Sequence, residues 1–222
     1  MTRETIIISG GVLEEEYILG ELEQVDEKCI IGVDGGVKFL YENGIRPDHI
    51  VGDFDSLDAE IVKYYCEETD VLIHQFDPIK DKSDTEIAVQ LAIEIGNDRI
   101  RILGATGARI DHLWANVQTL FIAYNAGVKA YIEDSLNRIS VVSEKTVLKK
   151  SEAFGPFFSV FTIGGAVEHF NISGAKYPLI DHLLEPIGSL CVSNEYIEDV
   201  TITFPKGNVI LMETRDRKEL GR

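Results

Sequence analysis

Two aspartates spaced two apart, Asp53 and Asp55, occupy Gly52-Asp53-Phe54-Asp55-Ser56, directly after the run His49-Ile50-Val51. In an extended segment residues i and i+2 point to the same side, so both carboxylates converge where a strand ends. An open α/β sheet keeps its ligand at that edge. Converging carboxylates are hard oxygen ligands suited to Mg²⁺, the usual escort of nucleotide phosphates. The competing reading is a polar turn, with Asp58 capping the next helix.

The same chemistry recurs after other strand-like runs. Asp34 follows Cys29–Val33, Asp81 and Asp84 follow Val71–His74, and Asp111 follows Arg99–Leu103. Successive strand ends of a parallel sheet share one edge, so these loops would gather there. That recurrence favours a metal site built from Asp53, Asp55, Asp81 and Asp84 over turn chemistry alone. Lys80-Asp81-Lys82-Ser83-Asp84-Thr85 interleaves bases and acids at a helix start. Lys80, Lys82 and helix N–H groups, with Thr85 in the same turn, could hold phosphate while the aspartates hold metal. An exposed loop with incidental ion pairs is the alternative. Gly104-Ala105-Thr106-Gly107-Ala108-Arg109-Ile110-Asp111-His112 is a small-residue loop that lets backbone approach phosphate, with Arg109 as a clamp. Asp111 is also expected to cap the following helix; His112 reads equally as a ligand contact or a solvated side chain, and Trp114 as packing. His49, His74, His169 and His182 show no metal-ligand spacing. Neither the P-loop nor the dinucleotide glycine pattern occurs.

The elements that must position these residues are legible. Short apolar runs at Thr5–Ser9, Cys29–Val33, His49–Gly52, Val71–His74, Arg99–Leu103 and Val128–Ile132 alternate with helical periodicity. This is the pattern of a parallel sheet covered on both faces. Ser83 to Glu86 has capping-box spacing, and Gly96 ends the helix it opens. Beyond about residue 137 the runs Phe157–Ile163, Ser189–Ser193, Val200–Phe204 and Asn208–Met212 are punctuated by glycine and proline, as in a sandwich of short strands. The expected fold class is α/β: a parallel-sheet nucleotide-binding domain over residues 1–137, followed by an all-β sandwich over residues 138–222.

The formal net charge of −17, from 21 Lys and Arg against 38 Asp and Glu, excludes a nucleic-acid binder as the expected class. It also requires a divalent cation between clustered carboxylates and any phosphate ligand. No apolar run reaches the roughly 20 residues of a membrane span. The three cysteines, Cys29, Cys66 and Cys191, suggest neither disulfides nor a zinc cluster. The start, Met1-Thr2-Arg3-Glu4, carries no secretory pattern, and a cytoplasmic protein is the expectation.

Taken in order, Val33-Asp34-Gly35-Gly36, Gly52-Asp53-Phe54-Asp55-Ser56, Lys80 to Glu86 and Gly107 to His112 resemble the motifs of thiamine pyrophosphokinases of the bacterial type. Ser173-Gly174-Ala175-Lys176-Tyr177-Pro178-Leu179 and Val192-Ser193-Asn194-Glu195 resemble that family's two thiamine-side motifs. Val33 replaces the usual Ala, and Ala108 a common second Gly. The resemblance implies transfer of the β,γ-pyrophosphoryl group of ATP to the thiamine hydroxyl, with release of AMP. It implies that Asp53, Asp55, Asp81 and Asp84 hold Mg²⁺ and the polyphosphate, with Asp34 nearby. Lys80, Lys82 and Arg109 would neutralise phosphate oxygens, and Asp111 with His112 would border the transfer site. Ser193 and Asn194 would hydrogen-bond the aminopyrimidine beside Tyr177. A homodimer is implied, with thiamine between domains of different subunits.

Other readings stay open on sequence alone. A related diphosphokinase could use another hydroxymethyl acceptor, such as a pterin; Tyr177, Ser193 and Asn194 favour thiamine. Asp53-Phe54-Asp55 superficially matches the DxD of aspartyl-phosphate phosphatases, but Leu57 stands where that family wants Thr or Val. A non-catalytic sensor is disfavoured by the full set of charged residues.

Overall fold

The computed structural model describes residues 3–55, 57–75, 81–107 and 109–217. The chain is mixed α/β and divides into two compact units, residues 1–135 and 136–222.

In the first unit the strands are β1 (Glu4–Ile8), β2 (Lys28–Val33), β3 (His49–Gly52), β4 (Leu72–Gln75), β5 (Arg99–Leu103) and β6 (Lys129–Glu133). Each lies within one residue of its expected bounds. The helices between them are α1 (Glu15–Glu23), α2 (Gly35–Glu42), α3 (Ala59–Glu68), α4 (Asp84–Ile95) and α5 (Ile110–Asn125). The strands pair in the order β4-β3-β2-β1-β5-β6, all parallel. From β1 the chain adds strands outward to β4, then returns to the other side of β1 to place β5. The strand order therefore reverses between β1 and β5, and the crevice at such a switch point is where open α/β sheets bind ligands.

Strand alternation assigns the helices to faces. Ile6 and Ile8 point to one side and pack with Ile18 and Leu22 of α1 and Phe39 and Leu40 of α2. Ile7 and its alternating neighbours face the other side. There the Ser9 hydroxyl meets that of Thr85 on α4 at 2.9 Å, and Thr5 Oγ1 accepts the Asn97 amide at 2.9 Å. Ala88 and Ala92, fully buried on α4, let that helix lie close across β1, β2 and β3. Each fully buried Ile or Leu contributes roughly 1.5–3 kcal/mol. The expected cap of α4 forms: Ser83 Oγ accepts the Glu86 N–H at 3.2 Å, and Gly96 closes the helix at φ 80°.

The second unit holds β7 (Asn137–Val142), β8 (Lys145–Leu148), β9 (Phe157–Ile163), β10 (Val167–Ala175), β11 (Leu179–Leu184), β12 (Asn194–Thr203) and β13 (Asn208–Thr214). One antiparallel ladder runs β9-β13-β7, another β11-β10-β12-β8, and β12 reaches β9 through Asn194 and Glu195. Phe158, Val160, Val209 and Leu211 of the first ladder share one core with Phe170, Ile172, Val200 and Ile202 of the second. The run Ser189–Ser193, expected as a strand, is instead a turn: the Val192 N–H reaches the Ser189 carbonyl at 3.1 Å, and Ser193 stands at φ 56°. Strands β10 and β11 escaped the sequence reading because register shifts interrupt their pairing. His169 and Asp181 take positive φ there, which breaks the period of two.

Candidate active site

At the carboxyl edge of the parallel sheet, close backbone approach joins the loops. The Gly11 N–H donates to the Gly104 carbonyl at 2.7 Å and the Val12 N–H to Thr106 at 3.0 Å, so the loops after β1 and β5 stay paired across the switch point. Asn116 of α5, buried, donates its amide to the Ala105 carbonyl at 3.0 Å and fixes that loop from below. A side chain at Gly36 would begin 1.9 Å from the Ile8 carbonyl oxygen; only glycine lets α2 start against β1. A Cβ on Gly52 would lie 2.9 Å from Asp34 Oδ1, which puts the Asp34 carboxylate beside the residue that leads into Asp53.

The acidic turn itself is anchored by its middle residue. Phe54 is 9% exposed and packs among Val37, Ile50, Ile61, Tyr65 and Val71. Its φ of 64° is a left-handed conformation that costs a bulky residue energy, held here by ring burial. The Asp55 N–H closes a small turn on Asp53 Oδ1 at 3.1 Å; Asp53 is half-buried and Asp55 exposed. Asp58 occupies the cap position of α3 but its side chain makes no cap bond; its carboxylate pairs with Lys38 at 3.2 Å instead.

The other expected residues divide into several groups. Asp84 is half-buried at the first position of α4, and Asp81 is exposed just before it. Lys80 lies outside the described residues, as do Ser56 and Ala108. Lys82 is exposed and donates to Gln90 at 2.9 Å. Thr85, expected at phosphate, is buried, and its hydroxyl is engaged with that of Ser9, which ties α4 to the end of β1. Asp111 is corrected as a cap, because α5 begins at Ile110 with Arg109 in the cap position. Arg109 grips Asp111 with two bonds, Nε to Oδ1 at 3.1 Å and Nη2 to Oδ2 at 2.5 Å. That guanidinium holds the Asp111 carboxyl below the usual carboxylate range. His112 is exposed, and Trp114, expected to pack, is 52% exposed, one turn along from exposed Ile110.

These oxygen donors suit a hard divalent cation. Among the described residues no three His, Cys, Asp or Glu side chains gather as a ready metal cage. Mg²⁺ needs none, since it takes one or two carboxylates and fills its octahedron with phosphate and water. The juxtaposed Asp34 and Asp53 loops fit that requirement.

In the second unit, Tyr177 follows β10 and is 58% exposed. The Lys176 ammonium lies 5.6 Å from the ring centroid and pairs with Glu195 at 2.5 Å. Ser193 is exposed, with its N–H on Ser159 Oγ at 3.0 Å. Asn194, expected beside Ser193 at the aminopyrimidine, is buried at the start of β12.

Residues 22–132 match the thiamin pyrophosphokinase catalytic domain, and residues 145–209 match the thiamin pyrophosphokinase vitamin B1 binding domain. A thiamine pyrophosphokinase of Bacillus subtilis is 32% identical over 218 residues, covering 95% of this chain and 98% of the relative. The chain belongs to the thiamine pyrophosphokinase family. Solved family structures agree. One from Bacillus subtilis superposes with a TM-score of 0.85 at 29% identity, covering 96% of this chain and 99% of that one. One from Geobacillus thermodenitrificans gives 0.83 at 33% identity, covering 96% and 98%. The catalytic-domain match spans the acidic residues from Asp34 to Asp111, and the vitamin B1 binding match spans Tyr177, Ser193 and Asn194. Phe54 and Asn116 were missed as positioning residues. An apolar residue between two aspartates was the available signal for the first; the second gave none.

Proposed function

We propose that this chain is a Mg²⁺-dependent thiamine diphosphokinase, in which the parallel-sheet unit holds ATP and the C-terminal unit, read as a β-sandwich, holds thiamine. The observation that supports it best is the meeting of the β1, β2, β3 and β5 loops at the switch point, within a chain of this family. The thiamine hydroxyl oxygen attacks the β-phosphorus of ATP, its bond to the oxygen of the α-phosphate breaks, and AMP departs with that oxygen. Such a transfer asks for alignment and charge neutralisation more than for covalent help from the protein. Asp53, Asp55, Asp81 and Asp84, with Asp34 alongside, would hold Mg²⁺, which when bound neutralises polyphosphate oxygens. Lys80 and Lys82 neutralise phosphate at the start of α4. Arg109 does so from the β5 loop, with His112 bordering it; a phosphate drawing Arg109 away would free Asp111 to accept the hydroxyl proton. Tyr177 gives the cationic thiazolium an aromatic face worth about 0.5–2 kcal/mol, and Ser193 offers a hydroxyl to the pyrimidine.

The working form proposed is a cytoplasmic homodimer. Ile180, Leu183, Ile187 and Leu190 are exposed together within a dozen residues of the second unit, apolar surface that a second copy would cover. Among the described residues no helix is long and apolar enough to cross a membrane.

The test is to mix purified protein with ATP, Mg²⁺ and thiamine and follow both products. AMP and thiamine diphosphate should form in equal amounts, only with thiamine present. AMP without the thiamine product would overturn the acceptor assignment.

A further inference from the structure

Asn194 opens β12 and is 3% exposed, the most buried polar side chain near Tyr177. Its amide is committed to backbone. Oδ1 accepts the N–H of Tyr177 at 3.0 Å and the N–H of Glu195 at 3.0 Å, while Nδ2 donates to the Tyr177 carbonyl at 2.8 Å. An amide oxygen has two lone pairs, so Oδ1 is saturated and a single N–H is left over. The opposite amide orientation would aim an NH₂ group at two backbone donors, so the network fixes the assignment.

The two bonds to Tyr177 imitate the pair that a neighbouring strand would make, at a place where the chain has left the β10 ladder. The Lys176 N–H, bonded to the Glu195 carbonyl at 3.0 Å, continues the strap. Pro178 has no N–H to add, so the main chain at Tyr177 depends on Asn194 for both its donor and its acceptor. The result is an aromatic ring that is open to solvent on a backbone that is not free to move.

We infer that Asn194 is a positioning residue for the acceptor, acting through the main chain of Tyr177 and not by contacting thiamine with its amide oxygen. The inference rests on the reading that Tyr177 meets thiamine. A ring fixed before binding loses less freedom on binding, so the effect belongs in thiamine affinity and not in the chemical step.

Asn194→Asp keeps the Oδ1 acceptor of both N–H groups but sets a charged oxygen against the Tyr177 carbonyl in place of the donor; Asn194→Ala removes all three bonds. Both are made alone and with Tyr177→Ala, and read by hydrogen exchange at the Tyr177 amide and by steady-state kinetics. A thermal melt of each variant separates a failure to fold from a loss of positioning. The expected result is faster exchange at Tyr177, with thiamine KM raised roughly three- to tenfold. ATP KM and kcat should stay near wild type, and no further rise should appear in the Tyr177→Ala background. A further, independent rise in that background would mean direct contact between Asn194 and thiamine and would overturn the inference. So would an unchanged thiamine KM in the Asn194 variants while Tyr177→Ala raises it. If Tyr177→Ala itself leaves thiamine KM unchanged, the acceptor reading of Tyr177 is what has failed, and the inference falls with it.

Discussion

Asp55 is exposed, and the bond from its N–H to Asp53 does not use its carboxylate. Replacing it therefore tests chemistry with little risk to folding. Asp55→Asn keeps the shape, removes the charge, and should lower kcat by at least a hundredfold, the scale of losing one electrostatic stabiliser of a transition state, about 10²–10³. The melting temperature should stay within a degree or two. Near-wild-type turnover with Mg²⁺ would remove Asp55 from the metal site. Arg109 and Asp111 show what residue types alone do not reveal. Both look like separate site residues in the sequence, but in the structure they are bonded to each other through two of the five guanidinium N–H groups.

The elements decide where these residues stand. Phe54 carries the β3 turn because its ring is locked into the α2–α3 core while its backbone takes a strained φ. Phe54→Ala should cost about 3 kcal/mol of stability by chemical denaturation, the low end for a buried aromatic. It should also reduce kcat at temperatures where the fold is intact; activity unchanged there would mean that the turn keeps its shape without the ring. On the neighbouring strands, His49 Nδ1 and His74 Nε2 lie 3.0 Å apart. Burial first, and the second histidine after it, hold His49 below its ordinary value of 6.5. As pH falls through 6.5 the unfolded chain takes up that proton before the folded one. The stability this site contributes is thus present above 6.5 and lost on acidification towards the lower folded value. His74→Gln removes the neighbour and should flatten the fall of the urea midpoint between about pH 7 and 5. Equal slopes in the two proteins would rule the pair out as a source of acid sensitivity.

At the scale of the whole molecule, two units with separate cores carry the acidic edge and exposed Tyr177, and exposed Ile180, Leu183, Ile187 and Leu190 belong to the second. Light scattering at micromolar concentration should give the mass of two 24.8 kDa chains. Leu183→Asp with Ile187→Asp should shift it towards one chain. A wild-type protein that stays monomeric when active would remove the homodimer.

The sequence by itself determined the parallel-sheet strands to within a residue, the Ser83 and Gly96 ends of α4, and the presence of aspartates at successive strand ends. These follow from short-range rules: apolar runs, capping chemistry and the direction of a parallel strand. Six ordered motifs also carried the family. Only the tertiary structure decided that the strand order reverses between β1 and β5, because sequence patterning does not record which strands pair. It also showed the Thr85 and Asn194 side chains engaged in internal hydrogen bonds with Ser9 and Tyr177, partners 76 and 17 residues away. Whether a hydroxyl or an amide faces ligand or backbone depends on what the fold brings beside it. Likewise β10 and β11 were hidden by bulges that break the alternation, and Ser189–Ser193 became a turn because the chain must reverse into β12.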